Sequence, residues 1–191
     1  MSVLPGVVHR LLVVTLIGST ALLPVTLWSV ARNPPNAEVA AQLDAANTEA
    51  AELARDADEM TSLLHNDVSW ESHAAMLGRI KDHVNNMGKI VAKLEEERQE
   101  ASPWQQQAID RMVPMLKEIA ANTTAAIEHL NQNHERPTTP DYVDYLQQNG
   151  DTSRELADMI SGVDQYGRQR AKLERLQDKI EATGSLAGSM K

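Results

Sequence analysis

Four segments of this chain repeat apolar residues at alternating gaps of three and four, and that repeat limits what the chain can become. The first row is Val39, Leu43, Ala46, Ala50, Leu53, Ala57, Met60 and Leu64. The second runs through Trp70, His73, Leu77, Ile80, Val84, Met87, Val91, Leu94, Arg98 and Ala101. The third is Ile109, Met112, Leu116, Ile119, Thr123, Ala126, Leu130 and Asn133. The fourth is Leu156, Met159, Val163, Tyr166, Arg170, Leu173, Gln177 and Ile180. A mean gap of about 3.5 residues lays each row along one stripe of a helix, and such stripes are stable when they bury one another. Alternating strand-type runs are absent beyond the N-terminus. The abundance of Ala, Leu, Glu and Gln, with 3% aromatics and no Phe, suits helix, because straight side chains lose little rotamer freedom there. The expected fold is all-α: an elongated, antiparallel, up-down-up-down four-helix bundle of coiled-coil character over residues 37–182.

The segment boundaries have their own chemistry. Asn33-Pro-Pro-Asn36 is a stiff spacer, so residues 32–36 read as a linker. Ser102-Pro103-Trp104-Gln105 is a helix start, with a capping serine, Pro at the first helical position and Gln to close a capping box. Pro114 lies inside the third segment and predicts a kink. Arg136-Pro137-Thr138-Thr139-Pro140 ends that segment and opens a short one to Gln148. Asn149-Gly150 then reads as a break, with Thr152 and Glu155 capping the long remainder. Residues 183–191, with two glycines and two serines, read as a loose polar tail. Short turns between long helices make neighbours antiparallel.

Ahead of the bundle, residues 11–31 carry no charge. A run of this length spans the hydrocarbon core of a bilayer, which takes about 20 residues. It reads as a transmembrane anchor preceded by a short flank at 1–10, with a secretory signal cut after Ser29-Val30-Ala31 as the alternative. Either reading puts residues 32 onward outside the cytoplasm, tethered to the cytoplasmic membrane or released from it. Residues 1–31 hold one charged side chain, Arg10, so the exported part carries 17 basic and 27 acidic residues. That balance excludes nucleic acid as a partner, since phosphates demand a basic face. The chain has no Cys, which removes disulfides, thiol catalysis, thiolate metal sites and covalent haem attachment.

Candidate chemistry gathers at one end of the expected bundle. Folding the helices back on their turns places Met60, His73, Met76, His129 and Tyr145 in one layer, with His65 and His134 near the same end. Imidazole and thioether suit copper, and such a pocket could hold haem between helices, so His73, His129 and Met60 are the candidate metal ligands. The competing reading is core filling, since Met occupies irregular gaps and a seam histidine bonds to a neighbour. Known templates fit poorly. Each His lacks the Glu three residues before it that ferritin-like di-iron bundles use. His-Glu-x-x-His and Gly-x-Ser-x-Gly are absent. Asn122 lies level with His83 and is expected to bond to it across the bundle, fixing register. Arg98 and Arg170 fall on seams and need carboxylate partners or an open end. Trp104, Tyr142 and Tyr145 read as caps on the ends of the core, with surface contact points as the alternative.

These features point to a non-enzymatic, extracytoplasmic helical bundle that works by protein–protein interaction or in envelope assembly. A homo-oligomer is among the assemblies this allows, and no cofactor is required. A small metal- or haem-binding bundle built on the His/Met cluster is the alternative.

Overall fold

The computed structural model describes residues 35–65, 68–134 and 138–189, with side chains as far as residue 183. These residues form four helices: α1 Ala37–Leu63, α2 Trp70–Glu96, α3 Pro103–Gln132 and α4 Pro140–Ser189. Among the described residues there is no strand. The expected membrane run at 11–31 lies outside the described residues. Within them, no helix is long and apolar enough to cross a membrane.

Each helix touches two neighbours in a closed ring, α1 on α2, α2 on α3, α3 on α4 and α4 on α1. Side-chain pairs give the directions. Glu49 meets His83 and Glu59 meets Arg79, so α1 and α2 are antiparallel. Thr123 meets Asn149 and His129 meets Thr139, so α3 and α4 are antiparallel. Asp58 meets Arg154 and Asp44 meets Arg168, so α4 runs back along α1.

The apolar rows line the interior. Leu53, Met60, Leu77, Ile80, Met87, Ile109, Met112 and Ile119 are almost wholly buried. Burying a Leu, Ile or Met side chain is worth about 1.5–3 kcal/mol, so these rows dominate the folding free energy. The alanines of α1, at Ala46, Ala50 and Ala57, are buried as well and let its neighbours approach closely.

The ends are fixed by side chains that satisfy orphan backbone groups. Asn36 caps α1, its Oδ1 accepting from the amides of Glu38 at 2.8 Å and Val39 at 3.3 Å. Gln105 does more than close a capping box. Its Oε1 accepts from the Ser102 amide at 3.0 Å and from the Asn36 amide at 3.1 Å. Its Nε2 donates to the Asn36 carbonyl at 3.1 Å. The buried Gln105 therefore ties the start of α3 to the start of α1.

Several boundaries differ from the sequence expectation. No break occurs at Asn149-Gly150, and α4 runs on through both. Asn149 instead donates from Nδ2 to the Thr123 hydroxyl at 2.8 Å inside the core. At Gly150 a β-carbon would come within 3.1 Å of the Thr61 hydroxyl oxygen, so glycine serves close approach of α1. Thr152 is no cap; its hydroxyl reaches Glu118 at 3.3 Å. Helix α2 stops at Glu96, and residues 97–100 form the turn to α3. Pro114 lies inside α3, which carries on through it to Gln132. The stretch expected to be a loose tail is helical as far as Ser189, because an established helix adds one hydrogen bond for each residue it fixes.

Candidate functional site

At the end where α2 begins and α3 finishes, the histidines meet an aromatic ring. His73 is buried, and its Nδ1 lies 3.1 Å from the Tyr142 hydroxyl. His129, half-buried, shares a 2.9 Å hydrogen bond between its Nε2 and the Thr139 hydroxyl. Both imidazoles rest on Tyr142, with ring centroids 5.7 Å away for His73 and 5.4 Å for His129. His134 stacks on Trp70 at 4.3 Å. Burial depresses the His73 pKa and pushes the Tyr142 phenol up, so both stay neutral around pH 7.

The three candidate ligands are thus placed as follows. Met60 is in the core, His73 is bonded to Tyr142, and His129 is bonded to Thr139. The cluster was expected to include Tyr145. The ring that organises it is Tyr142, one turn earlier, and Tyr142 is fully buried, which fits core filling rather than a surface contact point. Met76 is engaged separately, its sulfur 2.7 Å from the Arg79 guanidinium.

A second cluster lies midway along α1 and α2. Glu49, Glu52 and Asp56 share a face of α1 at spacings of three and four residues. His83 on α2 enters between them. Its Nδ1 is 2.6 Å from Glu49 Oε1, and its Nε2 is 3.5 Å from Asp56 Oδ2. Asp56 is only 2% exposed, unusual for a carboxylate without compensation. Its charge is met by Arg55 at 3.3 Å and Arg79 at 3.4 Å. Ligand atoms of Glu49, Glu52 and His83 lie within 4.8 Å of one another, close enough to share a divalent cation. The expected partner of His83, Asn122, is not its partner; the Asn122 Nδ2 is buried without a hydrogen bond from the protein. Thr123 with Asn149 is a core polar pair that does link α3 to a neighbour.

The third feature is on α4. Among the described residues, the large apolar side chains that stay exposed are Tyr166 at 49%, Leu173 at 61%, Leu176 at 48% and Ile180 at 71%. All four belong to α4, and none of its described side chains from Ser161 to Thr183 is buried. Trp104, at the start of α3, packs edge-on against Tyr166 with centroids 5.5 Å apart. Its ring is also the nearest neighbour of Gly167, where a β-carbon would meet it at 3.0 Å. An open groove between α3 and α4, floored by Met159 and rimmed by Trp104, Arg111 and Tyr166, leads onto this stripe. The two seam arginines find carboxylates as expected. Arg98 grips Asp110 through two 2.6 Å bonds, and Arg170 reaches Glu174 at 3.4 Å.

Sequence reasoning identified the α4 row but treated it as buried throughout. It missed the α1 carboxylates, whose signal is the i, i+3, i+7 spacing of Glu49, Glu52 and Asp56 beside the apolar row. Comparison with protein-family models, with curated proteins and with solved structures finds no match for this chain.

Proposed function

We propose that the protein is a non-catalytic helical bundle held at the outer face of the cytoplasmic membrane through residues 11–31, working by contact with other protein. The observation that carries this reading is the concentration of exposed apolar side chains on one stretch of α4. Apolar residues scattered singly over a surface need no explanation, whereas an aligned group marks a docking face. The reading has a second support in the histidines. His73, His129 and His134 are each occupied by an aromatic ring or a hydroxyl, which is how structural histidines are used.

Site-specific photocrosslinking in the native membrane tests the proposal. A photoreactive residue at Leu173 is expected to give a protein adduct, and one at Lys81, an exposed position of α2, is expected to give none. Absence of any adduct at Leu173, or equal labelling from both positions, contradicts the reading.

A further inference from the structure

We propose that Glu49, Glu52 and His83 form a binding site for a zinc-type divalent cation, which clips α1 to α2 at mid-length. The site is separate from the histidines at the bundle end and from the α4 stripe. Glu49 and Glu52 stand one turn apart on α1, and His83 comes across from α2, with ligand atoms of all three within 4.8 Å of one another. Zinc holds nitrogen and oxygen ligands at about 2.0–2.2 Å, so two ligands of one ion lie no more than about 4.4 Å apart. Glu52 is exposed and, among the described residues, makes no hydrogen bond or ion pair, so its carboxylate is free to turn inward by that small difference.

The imidazole separates this group from a chance gathering of acids. Carboxylates stand at both ends of the His83 ring, Glu49 Oε1 at 2.6 Å from Nδ1 and Asp56 Oδ2 at 3.5 Å from Nε2. A neutral imidazole has one N–H and cannot serve both. A cation on Nδ1 satisfies Glu49 and leaves the Nε2 proton to face Asp56. Histidine ligands commonly turn their second nitrogen to a carboxylate in this way, which fixes the tautomer and the ring. Asp56, almost wholly buried and held by Arg55 and Arg79, is a fixed backing group. Charge adds to the case. Arg79 also reaches Glu59 at 2.9 Å, yet among the described residues no Lys or Arg pairs with Glu49 or Glu52. Like charges one turn apart on a helix repel, and a shared cation removes the repulsion. Asn86, one turn beyond His83, steadies Glu49 by donating from Nδ2 to its Oε1 at 3.3 Å. One imidazole with two carboxylates suits zinc and its first-row neighbours, whereas magnesium and calcium take oxygen ligands alone. An ion that binds the folded bundle and not the unfolded chain stabilises it, so zinc supply sets how firmly α1 is held to α2.

The test is equilibrium dialysis of the full-length protein, untagged and stripped with chelator, against Zn²⁺ at about pH 8, where protons compete little for the ligands. A single equivalent is expected to bind. The thermal midpoint is expected to rise with Zn²⁺ and to ignore Mg²⁺ and Ca²⁺. Glu52→Gln is expected to weaken Zn²⁺ binding by about tenfold or more while leaving the midpoint in chelator unchanged, because that side chain is exposed. His83→Gln is expected to abolish the Zn²⁺-dependent rise, and His129→Gln is expected to bind Zn²⁺ as the native chain does. No uptake by the native chain would mean that a proton, not a metal, joins His83 to Glu49, and would overturn the proposal. Full-strength uptake by Glu52→Gln places the ion elsewhere, at the bundle end if His129→Gln loses it, and overturns it as well. An equal response to Mg²⁺ or Ca²⁺ contradicts the imidazole as a ligand and overturns the zinc-type site.

Discussion

The two halves of α4 carry the same period and meet opposite fates. From Pro140 to Ile160 the helix buries Tyr142, Leu146, Leu156 and Ile160, each at 1% exposure or less. Beyond Val163 the row continues through Tyr166, Leu173 and Ile180, and all three face solvent. The difference lies in the neighbours. Along the first half, α1 and α3 offer matching apolar rows, and Thr61, Thr123 and Asp58 each provide a contact to α4. Along the second half, α3 reaches its start beside Tyr166 and α1 about two turns further on, so the row runs past its partners. A heptad row therefore specifies a helix and a sticky face, but the partner decides whether that face becomes core or docking surface.

The largest test of this contrast is truncation of core side chains. Leu156→Ala in the first half, or Leu77→Ala facing it from α2, is expected to cost about 2–5 kcal/mol in urea unfolding. Values near zero would mean that the first half is not core. Removing the polar link comes next. Asn149→Ala leaves the Thr123 hydroxyl buried without its partner and is expected to cost about 1–3 kcal/mol by the same assay.

Acid should weaken the packed half. Burial holds the His73 pKa below its ordinary 6.5, so the unfolded chain takes up a proton before the folded one does. The contribution of the neutral His73–Tyr142 pair is complete above the unfolded value. It is lost as pH falls from there toward the lower folded value, where the folded chain also takes up the proton. The urea midpoint of the native protein is expected to drop across that window, and His73→Gln is expected to reduce the drop. An unchanged pH profile would place His73 outside the core. The smallest effect should come from the projecting half. Leu173→Ala is expected to change unfolding of dilute, monomeric protein by no more than about 0.5 kcal/mol. A loss of several kcal/mol from the monomer would show that the projecting row is buried after all.

The fold was legible because its carriers are periodic. The rows of α1, α2 and α3 are buried where their spacing places them, and Ser102 and Asn36 sit at helix starts. Asn149-Gly150 was misread because a turn dipeptide and a pair serving close helix contact look alike locally; the difference is Thr123 and Thr61, remote in sequence. His83 was assigned to α3 through Asn122, yet it turns to α1, where three carboxylates outweigh one amide in attracting an imidazole. The part Tyr142 plays between the histidines was not legible, because its partners His73 and His129 come from two other helices. The exposure of Leu173 and Ile180 could not be read from their own row, since it follows from where α1 and α3 start.

The most direct measurement is backbone hydrogen exchange along α4 in dilute full-length protein. Amides from 142 to 160 are expected to be strongly protected. Those from 176 to 183 are expected to exchange fast. Equal protection of the two halves would contradict the account.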